Sequence, residues 1–406
     1  MSSPIGLLKD VVRRLGGEKA FLYVAKSREV ANRGVEVISF GIGQPDIPTF
    51  QYIIDAAKEA LDKKFTGYTE TAGIPELREA VAEYLNRRYG ADVKPSEVVA
   101  TTGAKTAIFL GIAAYVRPGD EVIIPDPTYP AYPEITKLFG GKPVYLPLKF
   151  SVDRGFEIDL KKLEELITVR TRMIVLNNPH NPTGAVFTPR EVEKILEIAK
   201  DHKILVLADE IYDNFVYGEV PFKSVLEDPD WRDVVVYVNG FSKTFSMTGW
   251  RLGYVVVSEK VVRHIVTLAT NVYSCPPSFV QVAGAKALRG DWSEVRNMIS
   301  LFRERRDFIV EELRKLPGFE VWKSAGAFYV FPRVKKLLDV VGMDVEKFVD
   351  HLLYNYGVVM LPGTAFSETE IGREFVRLSF AIDVKKIEEG LKRVRKAIDD
   401  LLQQRS

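Results

Sequence analysis

VVVYVNGFSKTFSMTGWRLGYVVVS, residues 234–258, sets two continuous apolar runs on either side of a polar loop. Runs of this length without alternation suit strands buried on both faces of a sheet, because neither face presents a polar residue to water. The loop between them starts at a glycine and carries Lys243 among small hydroxyl side chains, with Arg251 eight residues further on. A core has no use for a lysine just beyond a buried strand, so chemistry is the more informative reason for it.

Similar runs recur upstream as VVATT from 98, EVIIP from 121, MIVLN from 173 and ILVLAD from 204. Helical periodicity separates them, as in 189–202, which predicts an α/β fold with a mostly parallel sheet flanked by helices. After about residue 290 the pattern changes. The charged amphipathic stretch DWSEVRNMISLFRERRDFIVEELRKL predicts a long linking helix, followed by the short strand candidates FEVWKS, AFYVFP, VVMLPG and FVRLSF. Residues 384–402 read as a closing helix. The expected division is an N-terminal arm with part of a small domain at 1–48, a large domain at 49–290, and an interdomain helix with a smaller α+β domain at 291–406. Disorder is expected only at the ends.

Composition narrows the function classes. Over 406 residues, 56 Lys and Arg face 55 Asp and Glu, so no net field favours nucleic acid or an anionic membrane. The single cysteine, Cys275, fits a reducing compartment, and His180, His202, His264 and His351 show no metal spacing. No metal is expected. The absence of a signal-like start and of a spanning apolar run predicts a soluble, cytoplasmic protein.

Ligands of parallel sheets bind beyond the carboxyl ends of the strands, and the residues found there are chemically particular. Gly103, Ala104 and Lys105 open a helix after VVATT, where free amides and the positive end of the dipole suit a phosphate. NPHNPTG, after MIVLN, must be an irregular turn; Asn181 offers an amide donor, and Pro182 suits a cis peptide bond. Asp209 follows ILVLA directly. It either caps a helix or answers a cation such as a protonated ring nitrogen, with Tyr212 three positions on along the same helical face. Lys243 can form a Schiff base if burial or nearby cations lower its pKa, and Ser242 and Arg251 are ordinary phosphate ligands. A Schiff-base lysine, a carboxylate for a ring N–H, donors for a ring oxygen and a phosphate cradle together specify pyridoxal 5′-phosphate.

In this respect the chain resembles the class I and II aminotransferases of the fold-type I pyridoxal-phosphate enzymes, near the aspartate aminotransferases. The resemblance covers about residues 20–400 and rests on GIGQPD, GYTETAGIPELREAV, TTGAKTAI, DPTYPAYP, NPHNPTG, ADEIY, SKTFSMTGWRLGY and VRLSFA, in the family's order. It implies that Lys243 is the aldimine lysine and catalytic base, and that Asp209 holds the pyridine nitrogen. It further implies that Asn181 and Tyr212 donate to the ring oxygen and that Tyr129 stacks on the ring. The phosphate would be held around Gly103, Ala104 and Lys105, by Ser242 and Arg251, and by Tyr68 of a neighbouring subunit in a homodimer. Arg377, with Asn181 and the Gly43 backbone, would bind the substrate's α-carboxylate.

The implied activity moves an amino group from an L-amino acid such as aspartate, alanine or an aromatic residue to a 2-oxo acid, 2-oxoglutarate foremost, by a ping-pong mechanism. A β/γ-lyase on the same fold and a non-catalytic pyridoxal-phosphate-binding regulator are the alternatives. Side-chain specificity is the open point. Lys105 suits an acidic substrate, but Glu18 and Ala20 stand in GGEKAFLYV where aspartate-using members carry small hydroxyls, and a second carboxylate there repels the first.

Overall fold

The computed structural model describes residues 8–404. The first seven residues of the expected N-terminal arm and the final two of the chain, part of the ends where disorder is expected, lie outside the described residues.

Seven strands form the main sheet: β1 Val98–Thr101, β2 Glu121–Asp126, β3 Lys142–Pro147, β4 Thr171–Asn177, β5 Leu205–Asp209, β6 Val235–Gly240 and β7 Gly253–Val256. Their order is β1-β7-β6-β5-β4-β2-β3. Only β7 is antiparallel to its neighbours, β1 and β6, while the remaining pairs are parallel. The other six strands therefore run one way and their carboxyl ends meet along one edge. β1, β2, β6 and β7 are buried throughout, which is why their sequences read as unbroken apolar runs. β3 was not among the strand candidates: it is the edge strand, with exposed Lys142 and Pro147, and its KPVYLP lacks a continuous apolar signal.

The helices that matter below are α1 Lys19–Ala31, α2 Ala104–Tyr115, α3 Pro189–His202, α4 Ser293–Arg314, α5 Val345–Tyr356 and α6 Val384–Gln403. α3 begins with Pro189 at its first position and a reciprocal Thr188–Glu191 capping box. α4 spans 22 residues, close to the expected linking helix.

A second, antiparallel sheet orders β8 Tyr329–Val330, β10 Val376–Ser379 and β9 Leu361–Pro362. Two expectations fail here. FEVWKS is not a strand; it contributes only an isolated bridge from Glu320 to Arg333, with no partner strand alongside. VVMLPG is divided at Met360, because Val358–Val359 pairs with Ile38–Ser39 whereas β9 pairs with β10. Residues 38–46 thus lie against this smaller sheet, through the amide of Ser379 on the Phe40 carbonyl and that of Asp46 on the Ala381 carbonyl.

Candidate active site

The convergent edge of the large sheet and the smaller sheet enclose a cavity of about 550 Å3. Strand ends of the large sheet supply one wall. Asp209, the last residue of β5, is 3% exposed. Its Oδ2 accepts from the Tyr132 hydroxyl at 2.8 Å and its Oδ1 from the Ile211 amide at 3.1 Å. Burial pushes its pKa up to about 6, against the pull of those two donors and of the Lys243 ammonium. A carboxyl so placed lacks a full cationic partner, and a protonated ring nitrogen would provide one. Residues 211–214 form a turn rather than the expected helix. Asp209 is therefore no helix cap and Tyr212 shares no helical face with it; the turn sets the Tyr212 hydroxyl 2.7 Å from that of Tyr329.

The NPHNPTG turn follows β4. Both Asn178–Pro179 and Asn181–Pro182 are cis. Asn177 stitches the turn to the sheet, accepting from the Asn181 amide at 2.9 Å and donating to the Asp209 carbonyl at 2.9 Å. Asn181 Oδ1 accepts from Arg377 Nη1 at 2.9 Å, which leaves its Nδ2 hydrogens for a ligand.

Lys243 lies in the loop between β6 and β7, half-buried, with Nζ donating to the Gly43 carbonyl at 2.5 Å. Burial lowers its pKa to about 8, helped by the Arg377 and Arg251 cations and opposed by the Glu18 and Asp209 carboxylates. That is the direction in which an amine becomes a nucleophile near neutrality.

Arg377, on β10, is 4% exposed. Its Nη2 donates to the Gly41 carbonyl at 2.6 Å, its guanidinium carbon stands 4.3 Å from the Tyr329 ring centre, and its Nε has no partner. Gly43 is required beside it: a Cβ there would meet the Tyr329 hydroxyl oxygen at 1.9 Å.

The phosphate end is built on the start of α2, whose first amides have no intrahelical acceptor. Gly103 precedes the helix at φ +93°, and a Cβ on it would lie 2.4 Å from Arg251 Nη2. Arg251 itself adopts a left-handed conformation at φ 57° and donates to the Thr248 carbonyl at 2.8 Å. Ser242 and Ala104 also line the cavity.

Of the residues singled out in the sequence, Gly43, Ala104, Lys105, Tyr129, Asn181, Asp209, Tyr212, Ser242, Lys243, Arg251 and Arg377 line this cavity, together with Glu18 and Ala20. Gly103 stands behind the lining, against Arg251. Tyr68 lies outside it and is 93% exposed. Sequence reasoning missed Asn177, Tyr132, Tyr329 and Phe366, the last with its ring centre 4.6 Å from the Arg377 guanidinium carbon. Asn177 ends a recognised strand and Tyr132 stands three residues past Tyr129 in DPTYPAYP, so both carried a signal; Tyr329 and Phe366 carried none.

The amine, the cation-seeking carboxyl, the amide and phenol donors and the helix-start cradle fit pyridoxal phosphate. Among the described residues there is no cluster of His, Cys, Asp or Glu able to hold a metal ion and no helix long and apolar enough to cross a membrane.

Comparison with known proteins agrees with this chemistry. Residues 35–394 match the family described as aminotransferase class I and II. The chain is 52% identical to an aspartate aminotransferase of Sulfurisphaera tokodaii, over 96% of each protein. It is 38% identical to aromatic-amino-acid aminotransferase 2 of Thermococcus litoralis, over 91% of this chain and 93% of that protein. The crystal structure of an aspartate aminotransferase from Thermotoga maritima superposes with a TM-score of 0.89 at 34% identity, over 97% of this chain and 100% of that one. The chain belongs to the class I and II aminotransferases, pyridoxal-phosphate-dependent enzymes that carry an amino group from an amino acid to a 2-oxo acid.

Proposed function

We propose that the protein transfers the amino group of L-aspartate to 2-oxoglutarate in alternating half-reactions. The observation that carries this reading is the convergence of Lys243, Asp209 and Arg377 on one cavity, with the names of the more similar relatives favouring aspartate. Bound pyridoxal phosphate supplies an aldehyde that condenses with amines and a ring that takes up the electron pair released when the Cα–H bond breaks. Arg377 binds the α-carboxylate through its fork of N–H donors, with Asn181 beside it. Lys243 is the amine that would hold the cofactor and, when free, the base that would take the Cα proton. Asp209 would keep the ring nitrogen protonated, Asn181 and Tyr212 would donate to the ring oxygen, and Tyr129 would pack against the ring. Ser242, Arg251 and the amides of Ala104 and Lys105 beside Gly103 would hold the phosphate.

The division of labour places the cofactor on a large domain, 49–290, and the carboxylate arginine on a small domain built from 1–48 and 291–406. A cytoplasmic homodimer completes the site, Tyr68 of each subunit reaching the other's phosphate. Its exposure on the isolated chain supports this assignment.

A paired screen tests the function. Amino donors are offered with 2-oxoglutarate or pyruvate as acceptor, and aspartate with 2-oxoglutarate is expected to give the highest kcat/KM. No exchange with any of the common amino acids would overturn the reading.

A further inference from the structure

The cavity is also lined by an ion pair that none of these roles uses. Lys105 donates its Nζ to Glu18 Oε1, and the same oxygen accepts from the Tyr129 hydroxyl at 2.9 Å. The partners come from opposite sides of the cleft. Lys105 and Tyr129 follow strands β1 and β2 of the large sheet. Glu18 immediately precedes α1, which is tied to α5 by Lys26–Asp350 at 2.7 Å and by Lys19–Glu346. Side-chain exposures of 47% for Lys105 and 21% for Glu18 leave the pair reachable from the cavity.

A cation that lines the same cavity as a carboxylate-binding arginine is what the distal carboxylate of a dicarboxylic amino acid would seek. Here that cation already has an anion. A partly exposed pair of this kind is weak, so a ligand can displace it. Displacement, however, sets two carboxylates side by side, and that repulsion opposes binding. Amino acids with uncharged side chains enter without breaking the pair.

We propose that Glu18 is a specificity-determining placeholder: it occupies Lys105 until a substrate's distal carboxylate takes its position, and so restrains the enzyme's preference for dicarboxylic over monocarboxylic substrates. This rests on the aminotransferase reading, with Arg377 on the α-carboxylate.

The test uses cofactor-loaded enzyme as wild type, Glu18→Gln, Lys105→Met and the double variant. Glutamine is isosteric and can still meet Tyr129, so the fold is kept. Spectral titration with maleate, an unreactive dicarboxylate, and with propionate gives Kd, and steady-state kinetics give the ratio of kcat/KM for aspartate to that for alanine. Glu18→Gln is expected to tighten maleate at least fivefold relative to propionate, to raise the aspartate-to-alanine ratio similarly, and to lose both gains when Lys105 is methionine. Unchanged or weaker maleate binding, or a gain that survives Lys105→Met, overturns the proposal. Failure of turnover with every amino acid would defeat the aminotransferase reading instead, whereas normal turnover with unaltered maleate affinity defeats only the placeholder.

Discussion

Asp209 ends a strand at the cavity wall with 3% of its surface exposed, and its side-chain hydrogen bonds come from a phenol and an amide. Its folded pKa, about 6, lies above the ordinary 3.8. A raised carboxyl pKa means that ionisation opposes folding: the penalty is fully present above pH 6 and vanishes as pH falls toward 4. From that difference the penalty is about 3 kcal/mol at pH 8. Asp209→Asn should therefore stabilise the cofactor-free protein at pH 8, by up to that order, with the advantage shrinking between pH 6 and 4. It should also weaken pyridoxal phosphate binding by at least tenfold. Thermal melts across pH and cofactor titrations check both, and equal destabilisation at every pH would contradict the argument. Asp209 was legible because a charged residue directly after ILVLA demands a partner. Tyr329 was not: its place between Tyr212 and Arg377 arises from two sheets meeting, and no local pattern encodes that.

Elements were most readable where burial is symmetric. The runs of β1, β4, β5 and β6 and the capped start of α3 announce themselves, whereas β3 on the edge and the divided VVMLPG segment depend on partners distant in sequence. The junction of β7 with α2 sets the phosphate cradle. Gly253 faces the helix start so closely that a Cβ would lie 2.5 Å from the Ala104 nitrogen and 2.7 Å from the Gly103 carbonyl carbon. Both neighbours are backbone, so neither can swing away. Gly253→Ala should cost about 1–3 kcal/mol in overpacking. It should also loosen the cofactor, because the displaced amides belong to the cradle. Denaturant midpoints and cofactor Kd give the two numbers; a change in the first without the second would separate the junction from the phosphate site.

On the scale of the whole molecule, the α/β class and the chemistry of the cavity could be read from the chain, but its substrate preference could not, since Glu18 meets Lys105 across some 87 residues of sequence. The proposed sharing of the site between two subunits makes a sharp prediction. Tyr68→Ala and Lys243→Ala should each be strongly impaired, yet mixing them through dissociation and reassociation should restore activity, because a hybrid dimer has one site with both residues intact. Additive loss with no recovery would place Tyr68 outside the neighbour's site. Every role proposed for the cavity depends on Lys243 being the amine that holds the cofactor. Borohydride reduction of the loaded enzyme, followed by peptide mapping, tests this most directly: one reduced pyridoxyl adduct on the peptide containing Lys243 is predicted, and an adduct on another lysine, or none, would contradict it.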